Sequence, residues 1–209
     1  MNPLNTAEAR EAFLASPIKA APAFRYKASA RRRRKRLAEF PVHRALYKDA
    51  LRIVEATIRT HGSYTKYMNR VWGSVVSMEQ AGAFFRRYLK QMGLDGQLQV
   101  RFSASAVAGT SVGTKWITLK DPSTQRTNRL RSTCDHELGT HYLRRWNDQH
   151  QPWHGASRAA LGVRPPSLET EEGLASIHSH LVAPDKRLFG AALNYCTAIW
   201  AQDMNFVQL

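Results

Sequence analysis

The spacing of apolar side chains predicts several helices in the first half of the chain. A short helix is expected over Thr6–Ala15, with Thr6 as its N-cap. Residues 42–61 have apolar side chains at steps of three or four residues, or sums of these, and Gly62 is suited to a C-terminal cap. A further helix is predicted from a capping-box pair followed by an apolar face, at Ser77, Gln80, Phe84, Phe85, Tyr88 and Leu89.

The middle of the chain changes to the alternating pattern that is typical of strands. Residues 97–102 and 115–119 each alternate between apolar and polar side chains, with glycines between the two segments. They predict two short antiparallel strands. Helical spacing then returns, and three helices are predicted, over residues 127–148, 170–183 and 188–209. The sequence therefore predicts a mostly helical α+β fold with a small antiparallel sheet.

The first 40 residues are expected to form a flexible basic segment ahead of a folded domain that spans residues 41–209. The run Arg31–Arg36 consists of six adjacent cations, which repel one another and favour a solvated tail over a polyanion-binding or nuclear-localisation segment. The whole chain has 31 Lys and Arg against 16 Asp and Glu, a formal net charge of +15. This charge favours an acidic partner, whether nucleic acid, anionic membrane or acidic protein segment.

Several protein classes are disfavoured by the same sequence. It has no run of about 18 apolar residues, so no membrane-spanning helix is expected. Its first 17 residues lack the continuous apolar stretch of a secretory signal. The two cysteines, Cys134 and Cys196, are far apart, which argues against a disulfide scaffold and favours a reducing compartment such as the cytosol or nucleus. A role for Cys134 as a thiolate ligand or nucleophile has no accompanying motif.

The strongest chemical motif is a pair of histidines around a glutamate, His136-Glu137-Leu138-Gly139-Thr140-His141. It resembles the H-E-x-x-H zinc motif but has one extra residue between the histidines. A step of five residues in an α-helix leaves a net rotation of about 140°, which would point the two imidazoles to different sides. The two histidines would share one metal only if a π-helical distortion, which Gly139 would permit, returned them to one face. Otherwise they are two unrelated histidines.

A second motif, Thr170-Glu171-Glu172-Gly173-Leu174-Ala175, follows about thirty residues later. One interpretation is an ordinary acidic helix start with Thr170 as the N-cap. The other is that it delivers the carboxylate ligand of a site with two histidines and one glutamate. Successive residues of a helix point about 100° apart, so only one of Glu171 and Glu172 is expected to face a metal. His178 is interpreted as a surface or core histidine rather than a neighbour of the site.

The two motifs together resemble those of the microtubule-associated tyrosine carboxypeptidase family, whose bacterial relatives have Gln-Glu-Gly-Leu-Ala in the second motif. The similarity extends over residues 40–209 and includes four further segments, Gly62-Ser63-Tyr64, Trp72-Gly73, Gln151-Pro152-Trp153 and Ala191–Leu209. The resemblance implies a zincin-like zinc metallopeptidase that removes the C-terminal tyrosine of α-tubulin. It also implies that the family's catalytic domain continues beyond residue 209 and is cut short at its C-terminus here.

Carried over motif by motif, the resemblance assigns His136 and His141 as zinc ligands and Glu137 as the general base. The glutamate immediately before Gly-Leu-Ala, Glu172, matches the third ligand, and one zinc ion is implied. The implied partners are the α-tubulin C-terminal tail and microtubules, with a cytoplasmic, cytoskeletal location. Membrane binding is not implied, and nucleic-acid binding through Arg31–Arg36 ranks last because no nucleic-acid-binding motif accompanies it.

Two features of substrate binding stay open at the level of sequence. The segment Lys115–Leu119 is either an exposed edge strand that binds an extended peptide or simply a sheet edge. The cation for the substrate carboxylate has four candidates, Lys115, Arg131, Arg144 and Arg145. The alternative function is a catalytically impaired chain that binds zinc and microtubules without turnover.

Overall fold

The structure, a computed structural model, describes residues 4–16, 21–27, 42–155, 157–164, 168–205 and 207–208. The predicted basic run Arg31–Arg36 lies outside the described residues. The chain divides into two units, one formed by residues 1–60 and 188–209 and the other by residues 61–187. The described helices include none that is both long and apolar enough to cross a membrane.

The first unit is helical. Its helices are α1 (Thr6–Ala15), most of α2 (Tyr47–His61) and α9 (Phe189–Asp203). Helix α1 has the predicted bounds, but its N-cap is Asn5 and not Thr6. Within this unit α2 and α9 are joined by a hydrogen bond from Trp200 Nε1 to Tyr47 Oη, at 2.9 Å.

The second unit begins with two capped helices, α3 (Tyr64–Trp72) and α4 (Met78–Gln91). Helix α3 is absent from the sequence prediction, and its N-cap Ser63 accepts a hydrogen bond from the backbone of Lys66. Helix α4 confirms the predicted capping box, because Ser77 and Gln80 exchange both side-chain-to-backbone hydrogen bonds.

The sheet has three strands, β1 (Gln99–Ser103), β2 (Thr110–Val112) and β3 (Trp116–Lys120), in the order β1-β3-β2. The predicted antiparallel pairing of the two longer strands is wrong, because β1 and β3 run parallel. The antiparallel neighbour of β3 is β2, to which it is joined by a tight turn closed by the Gly113 N–H and the Trp116 carbonyl at 2.7 Å. β3 is therefore the central strand, and the predicted free edge at Lys115–Leu119 does not exist.

The motif helix is continuous and consists of three segments. They are α5 (Leu130–His136), a π-helical segment (Glu137–Tyr142) and α6 (Leu143–Gln149). The short α7 (Ser157–Ala160) and then α8 (Leu168–Leu181) complete the second unit. The predicted N-cap Thr170 lies inside α8, two residues after its start.

The motif helix packs against α4, β2 and α8. Its Leu138 joins a core of fully buried side chains that includes Phe85, Leu89, Leu98, Ile117 and Leu119. Each such side chain contributes about 1.5–3 kcal/mol to stability, so the segment between the two histidines is anchored by the core.

Candidate metal centre

The π-helical segment brings the two histidines of the first motif together. In place of the wide separation expected in an α-helix, the Nε2 atoms of His136 and His141 lie 3.2 Å apart. The segment Glu137–Tyr142 is π-helical, so each turn there takes in an extra residue. This confirms the prediction that a five-residue step can face one point only where the helix is widened.

Tertiary contacts hold the π-helical segment on both sides. Leu138 and Thr140 are buried in the core. The Thr140 hydroxyl hydrogen-bonds with His178 Nδ1 of α8 at 2.7 Å, and the Tyr142 hydroxyl donates to Gln97 Oε1 at 2.9 Å. His178 is therefore a half-buried histidine that contacts the motif helix through Thr140.

Glu172 of α8 completes a group of three side chains that could hold a metal ion. Its Oε2 lies 3.9 Å from His136 Nε2 and 3.7 Å from His141 Nε2, and the ligand atoms of all three lie within 4.8 Å of one another. In a tetrahedral zinc site with bonds of about 2.0–2.1 Å, ligand atoms are about 3.4 Å apart. The observed separations bracket that value, and two imidazoles with one carboxylate are a donor set of catalytic zinc sites. The three side chains therefore fit zinc.

Glu171, the neighbour of Glu172, points away from this group of ligand atoms. Its Oε1 lies 2.6 Å from His141 Nδ1, on the far side of the imidazole ring, and its Oε2 lies 2.7 Å from Arg144. Only 10% of the Glu171 side chain is exposed, against 53% of Glu172. Burial raises the pKa of Glu171, but the hydrogen bonds from His141 and Arg144 outweigh it and the net pKa is lowered.

Glu137 is part of the motif helix, and it lies close to strand β2 of the sheet. Burial raises the pKa of its carboxyl, and the nearby Glu172 raises it further, whereas His141, the backbone of Val112 and Arg145 oppose the rise. Arg145 also donates to the Val112 carbonyl at 3.2 Å. Strand β2 therefore holds the part of the motif helix that carries Glu137. A carboxylate whose pKa is raised is a stronger base, which suits it to taking up a proton.

Burial lowers the pKa of His136, and repulsion from His141 adds to that effect. A low pKa keeps the imidazole neutral, which is the form that binds a metal. Cys134 is fully buried, and burial raises the pKa of its thiol. The thiolate role that lacked a motif in the sequence therefore also lacks a suitable environment.

A comparison with family models and curated proteins identifies relatives of this chain. Residues 54–183 match the model of the microtubule-associated tyrosine carboxypeptidase family. The chain is 36% identical over 167 residues to microtubule-associated tyrosine carboxypeptidase 1 of Homo sapiens, an alignment that covers 77% of this chain and 35% of that protein. It is 34% identical over 166 residues to MATCAP2 of Mus musculus, covering 78% of this chain and 32% of that protein. The chain belongs to the microtubule-associated tyrosine carboxypeptidase family.

The region that matches the family model contains the whole candidate centre. His136, Glu137, His141 and Glu172 all lie within residues 54–183. The chain itself spans about a third of the length of the curated family members it matches. The match to the family therefore rests on the segment that forms the candidate metal centre.

The structure distinguishes among the four cationic residues that the sequence gave as candidates for binding a substrate carboxylate. Arg131 pairs with Asp135 at 3.0 Å, and Arg144 pairs with Glu171. Lys115 is exposed in the turn that joins β2 to β3, immediately before β3 begins. Arg145 has a backbone carbonyl as its hydrogen-bond partner and lies close enough to Glu137 to affect its pKa. Among these four, Arg145 combines proximity to Glu137 with a guanidinium that the described residues do not pair with a carboxylate.

Sequence reasoning missed the positions of Glu171 and His178, although a signal was available. The two residues are seven apart, so they lie on the same face of α8, with the buried Ala175 between them. That face packs on the motif helix. A helical projection anchored on the small Ala175 would have placed both residues at the interface.

Proposed function

We propose that this chain forms the metal-binding centre of a zinc-dependent carboxypeptidase that releases the C-terminal tyrosine of α-tubulin. The observation that carries the proposal is the convergence of His136, His141 and Glu172, with Glu137 beside them, through a π-helical segment. The names of the curated relatives support the tyrosine carboxypeptidase activity. The association of the human relative with microtubules, which its name states, supports a microtubule partner and a cytoskeletal location for this chain.

In this proposal, the Nε2 atoms of His136 and His141 and a carboxylate oxygen of Glu172 hold the zinc ion. Bound zinc would polarise the scissile carbonyl and increase the acidity of water. Glu137 takes a proton from the attacking water and delivers it to the leaving nitrogen as the peptide bond breaks. The products are free tyrosine and a tail shortened by one residue. The raised pKa of Glu137 makes its carboxylate a stronger base for the first of these proton transfers.

The substrate is expected to be bound through its charges. The tail of α-tubulin is rich in glutamate, and the chain has a formal net charge of +15, so long-range attraction favours the encounter. Arg145 is our choice for the substrate's terminal carboxylate because it lies near Glu137 and donates to the edge strand β2. A carboxylate held there would select the last residue of the peptide.

The alternative proposal is that the chain binds zinc and microtubules without turnover. Both proposals require the same three ligands, so zinc content alone does not separate them. Release of tyrosine does. A peptidase requires the carboxylate of Glu137 for tyrosine release. A protein that only binds microtubules would bind them equally well with Glu137 and with the Glu137→Gln substitution.

The test uses the full chain, with zinc counted by elemental analysis on the same preparation that is assayed. A peptide that ends in the α-tubulin tail is incubated with it, and released tyrosine is measured by mass spectrometry. Glu137→Gln is the matched control for chemistry, and the same peptide with an amidated C-terminus is the control for carboxypeptidase action. About one zinc per chain, with tyrosine release only from the free-acid peptide and only by the wild type, is the expected result.

Two other results would change the assignment. Stoichiometric zinc without tyrosine release, together with microtubule co-sedimentation that is the same for wild type and Glu137→Gln, would establish the binding alternative. A folded preparation that takes up no zinc would refute the site.

A further inference from the structure

Glu171 of α8 contacts the motif helix on the side of His141 that faces away from the candidate ligand atoms. One of its carboxylate oxygens contacts His141 Nδ1 at 2.6 Å, and the other contacts Arg144 at 2.7 Å. The His141 and Glu171 side chains are 13% and 10% exposed. Both oxygens of a nearly buried carboxylate are thus engaged, one by the imidazole ring that faces the centre and one by an arginine from the same helix as that ring.

The two nitrogens of His141 face different partners. Nε2 faces His136 and Glu172, whereas Nδ1 faces Glu171. When Nε2 serves as a ligand, the ring's one proton resides on Nδ1, and an acceptor on that side fixes both the tautomer and the orientation of the ring. A carboxylate is a stronger acceptor for this N–H than a neutral group.

We propose that Glu171, held in place by Arg144, is a positioning residue that sets His141 as a metal ligand. The inference rests on the proposed zinc centre and assigns to the first glutamate of the Thr170–Ala175 motif a role different from that of the second. Glu172 faces the metal, and Glu171 orients the histidine that binds it.

The arrangement follows from the spacing of the residues on two helices. Arg144 lies three residues after His141, so both side chains lie on one face of the motif helix and contact the same carboxylate. Glu171 and Glu172 are adjacent in the first turns of α8, so this one helix supplies both the third ligand and the orienting group. Movement of α8 against the motif helix would disturb both together.

A different explanation is that Glu171 and Arg144 form only an ion pair between helices. Such a pair would contribute to stability but would leave the metal affinity of the folded protein unchanged. A positioning residue changes the metal affinity itself, and loss of such a partner typically weakens it by about 10- to 100-fold. Zinc affinity measured on folded protein therefore separates the two explanations.

The test compares Glu171→Ala, Glu171→Gln and a matched control, Glu169→Gln, which removes an exposed carboxylate from the same first turn. Zinc dissociation constants of the full chain are measured by competition with a chromogenic chelator, after circular dichroism shows that each metal-free variant is folded. We expect Glu171→Ala to weaken zinc binding by about 10- to 100-fold. Glu171→Gln should lose less, because its amide oxygen still accepts from Nδ1–H, and Glu169→Gln should match the wild type.

Arg144 is tested by a double-mutant cycle. Arg144→Ala alone should weaken zinc binding less than Glu171→Ala, because Glu171 keeps its contact with His141. In the Glu171→Ala background, Arg144→Ala should cause no further loss if it acts through Glu171. In the zinc-loaded wild type, ¹⁵N NMR of the histidines should show His141 as the Nδ1–H tautomer.

Each remaining outcome has a defined meaning. Wild-type zinc affinity in both Glu171 variants would overturn the proposal while leaving the zinc centre intact. Absence of zinc binding by the wild type would overturn the proposed function and this inference together. If Glu171→Ala does not fold, the nearly isosteric Glu171→Gln variant takes its place in the test. A zinc affinity of Glu171→Gln equal to that of Glu169→Gln would then count against the proposal.

Discussion

At the scale of single residues, the centre contains a carboxylate that the fold keeps at an energetic cost. Glu137 is placed where burial raises its pKa, and an ionised group in such a place is less stable than in water. In its proposed role as the general base, Glu137 must nevertheless be ionised to accept a proton. The position is thus expected to trade stability for activity, as functional sites often do.

This trade predicts that Glu137→Gln stabilises the metal-free protein. The pKa of Glu137 is higher in the folded than in the unfolded chain, so the destabilisation is complete above the folded pKa and absent below the unfolded value of about 4.5. Thermal unfolding of the metal-free chain should show a higher Tm for Glu137→Gln at pH 7. The difference should shrink as the pH falls towards 4, and a Tm below that of the wild type at pH 7 would contradict the prediction.

A second prediction at this scale concerns Arg145 and the substrate carboxylate. Replacing it by alanine removes a charged hydrogen bond, so KM for a tyrosine-ending tail peptide should rise about 10-fold or more. Zinc content should be retained, because Arg145 is not among the three proposed ligands. The amidated peptide, assayed as an inhibitor, should bind wild type and Arg145→Ala equally. An equal loss for both peptides would show that Arg145 acts only by supporting β2.

At the scale of elements, the π-helical segment is the feature on which the centre depends. Its shape is held by Leu138 and Thr140 in the core and by hydrogen bonds to His178 and Gln97. Gly139 has a negative φ, and a Cβ added there would meet no atom within 4 Å beyond the adjacent residues and backbone of its own helix. The structure therefore assigns the widening of the helix to tertiary contacts more than to the glycine.

It follows that Gly139→Ala should be tolerated. Alanine lowers the conformational entropy of the unfolded chain relative to glycine, so the free energy of unfolding should rise by about 0.5–1 kcal/mol. Zinc affinity should match that of the wild type because the core contacts remain. Denaturant unfolding and chelator competition measure the two quantities. A loss of zinc binding with the fold intact would show that the π-helical geometry requires glycine.

The same elements show what sequence patterns could and could not predict. The capping box at Ser77 was predictable, since it depends on neighbours within one helix. The five-residue spacing of His136 and His141 predicted only that a shared site would require a widened helix, because the contacts that hold the π-helical segment come from other elements. The direction of the β1–β3 pairing was not predictable, because it depends on the short strand β2. This strand lies between β1 and β3 in the sequence but beside β3 in the sheet. Similarly, the choice of which adjacent glutamate orients His141 depends on the rotation of α8 against another helix.

At the scale of the whole molecule, the dominant feature is charge. The chain has 31 cationic side chains against 16 acidic ones, while its candidate centre brings together three acidic residues, Glu137, Glu171 and Glu172. Glu137 and Glu171 are partly buried, and Glu171 is paired with Arg144. The long-range attraction of an acidic peptide is therefore expected to come from the cations that lie elsewhere on the chain, in contrast to the short-range contacts within the centre.

This contrast predicts that salt acts on substrate capture and leaves the chemistry largely unchanged. The Debye length falls from about 14 Å at 0.05 M salt to about 7 Å at 0.2 M, so attraction between the basic chain and a glutamate-rich tail weakens. KM for the tail peptide should rise over this range, whereas kcat should change little because the centre is partly shielded from solvent. A peptide with the same terminal tyrosine but glutamines in place of glutamates should have a higher KM that responds weakly to salt. Equal salt dependence for both peptides would mean that the net charge of the chain does not guide the tail, and that recognition is confined to the terminal residue.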